Sequence, residues 1–167
     1  MATIRSLTPG DRPAIERILR QVKVFTEEEI ETALQIVDLY LQNSRQRDYL
    51  IKVAADEKDS PLGYICYGKT PMTDGVYHLY WIAVDPSRQA HGIGGELLRF
   101  MERNVKDLGG RMILAETSSS PEYQGARDFY SKHGYREVAR IDDFYRVNEG
   151  LIIYQHRLDD QKVAAKT

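Results

Sequence analysis

The sequence predicts a single α+β domain built around a mixed, mostly antiparallel sheet of about seven strands. Three strand-like segments at 49–55, 62–70 and 76–84 have such short links that neighbours should pair antiparallel. A later strand at 111–117 follows a helix, and a right-handed crossover of this kind places it parallel to 76–84. The 167 residues contain no repeat or linker, so we expect one domain over 1–158 and a frayed tail at 159–167.

The first half of the chain supplies two helices and four strands. A short strand is predicted at 2–7, and Asp11 is then expected to cap the first helix. Thr26 and Glu29 have the spacing of a capping box, which opens an amphipathic helix running to about Asn43. The three strands of the meander follow this helix.

The second half is organised around a buried strand and the helix that follows it. Tyr77–Val84 is rich in β-branched and aromatic residues and is stopped by Asp85-Pro86. The next helix has an apolar stripe at helical spacing, formed by Ile93, Leu97, Leu98, Met101, Val105 and Leu108. A further helix is expected near 122–132, and final strands at 135–141 and 151–158 should flank a loop at 142–150.

Composition and charge exclude several classes of protein. Hydrophobic residues make up 42% of the chain and charged residues 29%, a balance typical of globular domains. The 23 basic and 25 acidic residues leave a net charge of −2, which argues against a nucleic-acid or membrane partner. The amino terminus lacks the apolar core of a signal peptide and no run is long enough to span a membrane. We therefore expect a cytoplasmic protein, either a monomer or a homodimer.

Cys66 is the only cysteine, so neither an internal disulfide nor a cysteine metal cluster can form. It lies in the middle of a predicted strand, where a buried structural thiol is expected. No metal site is predicted.

Three glycines mark the start of the helix after the buried strand. Gly92, Gly94 and Gly95 expose main-chain N–H groups at the positive end of the helix dipole, which predicts an anion site, most often occupied by phosphate. The alternative is that these glycines only allow close packing of helix on strand. A dinucleotide-binding fingerprint fails because Leu97 stands where its third glycine is needed, and the phosphate-loop pattern is absent.

Two separated motifs resemble one family. The segment Gln89-Ala-His-Gly92-Ile-Gly94 is similar to the acetyl-CoA signature of the GCN5-related N-acetyltransferase (GNAT) superfamily, Gln/Arg-x-x-Gly-x-Gly/Ala. Downstream, Ala126 to Tyr130 followed by Gly134-Tyr135 is similar to the family's Ala-x-x-x-Tyr…Gly-Phe/Tyr helix and turn. The first 70 residues match in element order alone. The resemblance implies a GNAT-type sheet with helices on both faces and an acetyl-CoA-dependent N-acetyltransferase, in which the acceptor amine attacks the donor directly in a ternary complex.

The resemblance also implies which residues hold the cofactor. Main-chain N–H groups would surround its pyrophosphate along Gln89, Ala90, His91, Gly92, Ile93, Gly94 and Gly95. The backbone of Ile82, Ala83 and Val84 would pair with the pantetheine arm, where strand 76–84 splays away from 111–117. Arg88 could add a positive charge or simply be solvated. Tyr123 stands where the family often has an asparagine, which leaves one side-chain contact to the cofactor open.

Three residues are candidates for the chemistry. Tyr130 stands where the family often keeps a tyrosine near the thioester sulfur, and its hydroxyl could protonate the departing thiolate or merely pack. His78 is one candidate general base, expected to share a face with Tyr80, Ile82 and Val84 on an alternating strand. Glu116, at the end of the neighbouring parallel strand, is the second candidate. A water chain without a dedicated base is the third possibility.

The acceptor should be a small-molecule or peptide amine that enters opposite the cofactor, between Val24–Thr26 and the 142–150 loop. Asp142 and Asp143 could attract its ammonium group, or they could belong to an ordinary acidic turn. Four aromatic residues could form walls of the pocket: Tyr80, Trp81, Phe144 and Tyr145. Two other functions remain open at this point: a non-catalytic acyl-CoA sensor or regulatory module, and a binder of NAD or another nucleotide.

Overall fold

The computed structural model describes residues 2–159, which form one mixed seven-stranded sheet in the order β1-β2-β3-β4-β5-β7-β6. The strands are β1 (Thr3–Ser6), β2 (Leu50–Ala55), β3 (Pro61–Lys69), β4 (Val76–Val84), β5 (Met112–Ser118), β6 (Arg136–Arg146) and β7 (Glu149–Arg157). The helices are α1 (Arg12–Gln21), α2 (Glu27–Gln42), α3 (Ile93–Asp107) and α4 (Gln124–Lys132). Only β4 and β5 pair in parallel, so the predicted fold class is confirmed. The tail predicted at 159–167 lies, from residue 160 onward, outside the described residues.

Two hydrophobic cores lie on opposite faces of the sheet. Helices α1 and α2 cover one face, against Ile51, Val53 and Tyr64. Helix α3 covers the other with its predicted stripe up to Val105, whereas Leu108 is 54% exposed because it follows the last helical turn. Cys66 is fully buried, as predicted, and burial raises the pKa of its thiol.

The helices of the amino-terminal half begin at polar residues that the sequence identifies. In α2, the main-chain N–H of Glu29 donates to Thr26 Oγ1 (3.2 Å) and the Thr26 N–H donates to Glu29 Oε2 (2.7 Å), so the predicted capping box is confirmed. Asp11 occupies the predicted N-cap position of α1, but its side chain makes no cap bond to that helix. Its carboxylate instead accepts from Thr8 and Arg5 in the turn before that helix.

The parallel strands β4 and β5 separate halfway along β4. Their pairing runs from Val76–Met112 to Leu79–Ala115 and then stops, so the second half of β4 has no partner on that side. On its other side, β4 carries a bulge at Tyr80, because Cys66 pairs with Trp81 while Tyr67 pairs with Leu79.

The bulge corrects one prediction about side-chain faces. Beyond Tyr80 the alternation shifts, so Ile82 and Val84 pack in the same core as Leu79 and face α3. His78 points to the opposite face, toward Glu116. The prediction that His78 shares a face with Ile82 and Val84 was therefore wrong, since strict alternation does not survive an extra residue.

The predicted loop at 142–150 is mostly strand. β6 continues to Arg146 and β7 begins at Glu149, leaving a two-residue turn in which Asn148 has a φ of 66°. The pairing jumps from Ile141–Leu151 to Arg146–Glu149, so residues 142–145 bulge out opposite Gly150. The polar and aromatic composition of this segment therefore reflects an exposed, bulged edge strand.

Candidate active site

A continuous cleft of about 1590 Å³ occupies the gap between β4 and β5 and reaches both faces of the sheet. At one end lie the start of α3 and the helix α4. At the other end lie the segment between α1 and α2, the carboxyl end of β5 and the β6–β7 hairpin. Most of the predicted site residues line this cleft: His78, Ile82, Ala83, Val84, Gln89, Ala90, Gly92, Gly94, Gly95, Glu116 and Tyr130.

The glycine-rich turn forms the helix-start end of the cleft. A 3-10 turn at Pro86–His91 is capped by Asp85, whose carboxylate accepts from Ser87 N at 2.9 Å, and Gly92 then turns the chain with a φ of 75°. Two predicted residues, His91 and Ile93, are not part of the cleft wall. They lie with Arg88 in the wall of a separate hollow of about 270 Å³. Arg88 also acts electrostatically on Asp56 there, and it is not part of the cleft wall.

Two side chains that the sequence reasoning missed, those of Arg99 and His133, flank this turn. A Cβ atom at Gly95 would lie 2.8 Å from His133 Nε2 and 3.4 Å from Arg99 Nη1, so the absence of a side chain lets both groups approach. His133 Nδ1 lies 2.8 Å from the carbonyl oxygen of Phe129, which makes Nδ1 the protonated nitrogen and turns Nε2 toward α3. Arg99 has no ion-pair partner among residues 2–159. In the sequence, only the spacing of one helical turn between Gly95 and Arg99 could have suggested that the Arg99 side chain lies here.

Tyr130 lies in the wall of the cleft on α4 and is 7% exposed. Its ring packs against Phe129, Tyr135 and Tyr154 with centroid distances of 5.6, 5.7 and 5.6 Å. Within the described chain its hydroxyl has no hydrogen-bond partner. Burial raises the pKa of Tyr130, so the phenol keeps its proton at neutral pH and can donate it.

The two candidate bases meet across the β4–β5 gap. His78 Nε2 lies 3.7 Å from Glu116 Oε1, and His78 Nδ1 lies 2.7 Å from Thr70 Oγ1. Thr70 can donate to Nδ1, which puts the ring proton on Nε2 facing Glu116, or accept from it, which leaves Nε2 basic. The imidazole also stacks on Tyr80, with ring centroids 5.9 Å apart. Sequence reasoning proposed these residues as rivals, whereas the fold places them together.

The far end of the cleft has aromatic and acidic walls. Phe25 packs edge-on against Trp81 with centroids 5.5 Å apart. The acidic residues that line this end are Glu28, Glu29, Glu116, Glu122 and Glu149. Two cations, Lys23 and Arg146, lie in the same part of the wall. Burial raises the pKa of Tyr145, and the charges of Glu116, Glu29 and Glu149 raise it further, so three carboxylates face one hydroxyl.

Three residues predicted for this end lie elsewhere. Asp142, Asp143 and Phe144 are exposed and outside the cleft wall, because the bulge in β6 turns them toward solvent. The carboxylates that do face the cleft come from distant segments. One of them, Glu149, accepts from Ser118 Oγ at 2.7 Å and pairs with Arg146 at 2.8 Å.

Tyr123 spans the cleft between α4 and the segment before α2. Its hydroxyl lies 3.3 Å from the carbonyl oxygen of Val24 and 3.2 Å from Glu29 Oε1. Burial and the neighbouring Glu29 raise the pKa of Tyr123. From the sequence, Tyr123 was noted only because the family often has an asparagine at this position.

The fold and the cleft define an acetyltransferase, and the comparisons with known proteins agree. The model of the acetyltransferase (GNAT) family matches residues 13–135. The chain therefore belongs to this family and is an N-acetyltransferase by class. Among the described residues, no helix combines the length and apolar character that crossing a membrane requires.

Individual relatives range from close to distant. A crystal structure of a GNAT-family protein from Desulfovibrio desulfuricans is 36% identical and superposes with a TM-score of 0.91, over 95% of this chain and 100% of that one. An uncharacterised N-acetyltransferase of Bacillus subtilis (strain 168) is 29% identical, over 70% of this chain and 74% of its own length. The S-(2-succino)cysteine N-acetyltransferase of the same organism is 29% identical, but over only 41% of this chain and 42% of that protein. An aminoglycoside 6'-N-acetyltransferase complexed with coenzyme A shares the fold alone, at 18% identity and a TM-score of 0.73 over 95% of this chain and 98% of that one.

Proposed function

We propose that this protein transfers an acetyl group from acetyl-CoA to a primary amine by direct attack within a ternary complex. The observation that carries the proposal is the arrangement around the β4–β5 gap. A glycine-rich helix start and a buried, protonated Tyr130 lie on one side, while His78 and Glu116 lie on the other. Acyl transfer of this kind needs an acid for the departing thiolate and a base for the amine, and the two sides offer one each.

The residues along the gap fit the proposed cofactor. From Tyr80 onward β4 is not paired with β5, so Ile82, Ala83 and Val84 have backbone groups free to pair with an extended amide-bearing arm. At the start of α3, the main-chain N–H groups near Gly94 and Gly95 form an anion site beside Arg99 and His133. When bound there, acetyl-CoA would supply an acyl group already activated as a thioester.

The acid and base roles follow from local environment. The Tyr130 hydroxyl, unpaired within the described chain and facing the cleft, would donate its proton to the leaving sulfur. His78 would accept the proton of the acceptor's ammonium at Nε2, and the carboxylate of Glu116 would stabilise the resulting imidazolium. No covalent enzyme intermediate is required. Cys66, the one thiol in the chain, is buried within the core that lies under α1 and α2.

The acidic lining of the far end supports an amine acceptor with overall positive charge. Its five glutamates exceed its two cations, Lys23 and Arg146, so this end would attract an ammonium group and disfavour carboxylates. A polycarboxylate acceptor, such as the succinylated cysteine named for the Bacillus subtilis relative, would therefore be disfavoured here. The cytoplasmic location and the choice between monomer and homodimer stay predictions of the sequence.

Free-thiol release from acetyl-CoA, measured with a panel of amino acids, polyamines and lysine peptides, tests the proposal. We expect turnover with cationic amines. Tyr130→Phe should lower kcat about 10- to 1000-fold, while calorimetric binding of coenzyme A stays within about twofold. Tight cofactor binding without release for any acceptor would overturn the enzymatic reading and leave the non-catalytic acyl-CoA sensor.

A further inference from the structure

Tyr123 joins two parts of the cleft wall that are remote in sequence. From the turn before α4, its hydroxyl reaches the carbonyl oxygen of Val24 (3.3 Å) and both carboxylate oxygens of Glu29 (3.2 and 3.4 Å). These partners lie 99 and 94 residues away. Because a phenol has one proton, it donates to one of these three oxygens at a time.

The segment it holds is otherwise restrained by local contacts, a turn bond from the Phe25 N–H to the carbonyl oxygen of Val22 (3.3 Å) and the capping box of Thr26. Residues 22–26 connect α1 to α2 without regular structure, and Phe25 anchors them by its edge-on contact with Trp81. Glu29 is itself fixed, since one of its carboxylate oxygens accepts from the main-chain N–H of Thr26 at 2.7 Å. A hydrogen bond from Tyr123 to Glu29 therefore ties the first turn of α2 to the base of α4.

The hydrogen bond from Tyr123 to Glu29 lies at the far end of the cleft, where the acceptor is proposed to bind. It does not reach the end near the start of α3, where the cofactor is proposed to bind. Val24, Phe25 and Glu29 line the end opposite the start of α3. Glu149 and Tyr145, from the β6–β7 hairpin, are also close enough to Tyr123 to influence it electrostatically. The Tyr123 hydroxyl thus contacts the segment before α2 and lies near the β6–β7 hairpin.

We propose that Tyr123 is a specificity-determining positioning residue, whose hydroxyl holds the 22–26 segment in place and so limits the size of the acceptor. This inference rests on the proposed function, since it assigns that end of the cleft to the acceptor. An asparagine at this position would be several ångströms shorter and could not reach Glu29. The tyrosine therefore gives this chain a closed wall at a point where a shorter side chain would leave an opening.

The decisive variant is Tyr123→Phe, which keeps the ring and removes only the hydroxyl. Tyr135→Phe is the matched control, because the Tyr135 hydroxyl donates to Glu102 at the same 3.2 Å but lies outside the cleft wall. Primary amines graded in size, from ethanolamine through spermidine to a lysine-containing pentapeptide, serve as acceptor probes. We expect Tyr123→Phe to raise kcat/KM for the largest relative to the smallest by about tenfold, the factor that one lost hydrogen bond can supply. Tyr135→Phe should leave the ranking unchanged.

Two measurements separate this inference from the proposed function. Hydrogen exchange of 22–26 in the protein without ligands should become about tenfold faster in Tyr123→Phe and not in the control, whether or not any probe is acetylated. Calorimetry with coenzyme A alone should give affinities within about twofold of the wild type for both variants. Unchanged exchange, or an unchanged size ranking in an active enzyme, would overturn the role of Tyr123. Absence of turnover in the wild type with altered exchange would instead count against the proposed function.

Discussion

His78 Nε2 lies 3.7 Å from Glu116 Oε1 across the two parallel strands, just where β4 and β5 stop pairing. The register explains the contact, because His78 stands opposite Leu114 and Glu116 is the next residue of β5 on the same face. An imidazole at this position can gain a proton while a carboxylate stabilises the charge that results. In the proposed mechanism, the pair would act as one proton-accepting unit at the point where β4 and β5 separate.

Replacing His78 should remove this unit's basic function. We expect His78→Gln to lower kcat about 100- to 10,000-fold. Glu116→Gln should have a smaller effect, and the double variant should be no worse than His78→Gln because the two residues act together. His156→Gln is the control, since His156 faces Glu102 at 3.9 Å outside the cleft wall. An unchanged kcat in His78→Gln would leave Glu116 or water as the group that removes the proton.

Local sequence patterns predicted the glycine-rich turn and the start of α3, because this end of the cleft is built from neighbouring residues. The turn at Pro86–His91, Gly92 and the start of α3 are contiguous, and capping and glycine preferences act over a few residues. The bulge at Tyr80 could not be predicted in this way. It arises from the pairing of β4 with β3, and it decides which face His78 occupies.

The far end of the cleft, where the acceptor is proposed to bind, was predicted poorly for a related physical reason. Its walls combine segments that are about a hundred residues apart, as in the contact between Tyr123 and Glu29. The sequence pointed to Asp142 and Asp143 because they cluster, but a bulge in an edge strand turns them to solvent. Glu149 lies beside the β6–β7 turn, and no local sequence pattern identified it as a residue of the cleft wall.

The guanidinium of Arg99 should contribute to cofactor binding through long-range charge. We expect Arg99→Gln to weaken coenzyme A binding about 5- to 30-fold and to reduce the loss of affinity with added salt, because one cation near the phosphates is removed. Arg103→Gln is a matched control, since Arg103 is exposed one turn further along α3 and lies outside the cleft wall. Calorimetry at two salt concentrations measures both effects. Equal behaviour of the two variants would place the phosphates away from Arg99.

Alanine substitutions at two glycines can separate the effect of backbone conformation from that of steric conflict. A Cβ atom at Gly92 or at Gly125 would meet no atom within 4 Å, but only Gly92 has a positive φ, of 75°. Gly92→Ala should therefore lower the free energy of unfolding by about 1–2 kcal/mol and weaken coenzyme A binding. Gly125→Ala, in the first turn of α4, should be neutral or stabilise by up to about 1 kcal/mol. Thermal unfolding measures the difference, and equal effects would show that the conformation of Gly92 is not strained for alanine.

The buried carboxylate of Asp11 should make stability fall in acid. Burial by itself would raise the pKa of Asp11, but hydrogen bonds from Arg5 and Thr8 outweigh it and lower the pKa below its usual value. A carboxyl group whose pKa is lowered in the folded state stabilises the fold above the unfolded pKa, about 3.9, and this contribution is lost as pH falls through the folded pKa.

Asp11→Asn should therefore lower the free energy of unfolding by about 1–3 kcal/mol at neutral pH, since the variant loses charge-assisted bonds to Arg5. Denaturant unfolding at a series of pH values should show the gap between wild type and variant closing below about pH 3.9. Glu31→Gln, at an exposed position of α2, should show no such gap at any pH. A difference for Asp11→Asn that persists unchanged into acid would mean that packing, and not the charge of Asp11, provides the stabilisation.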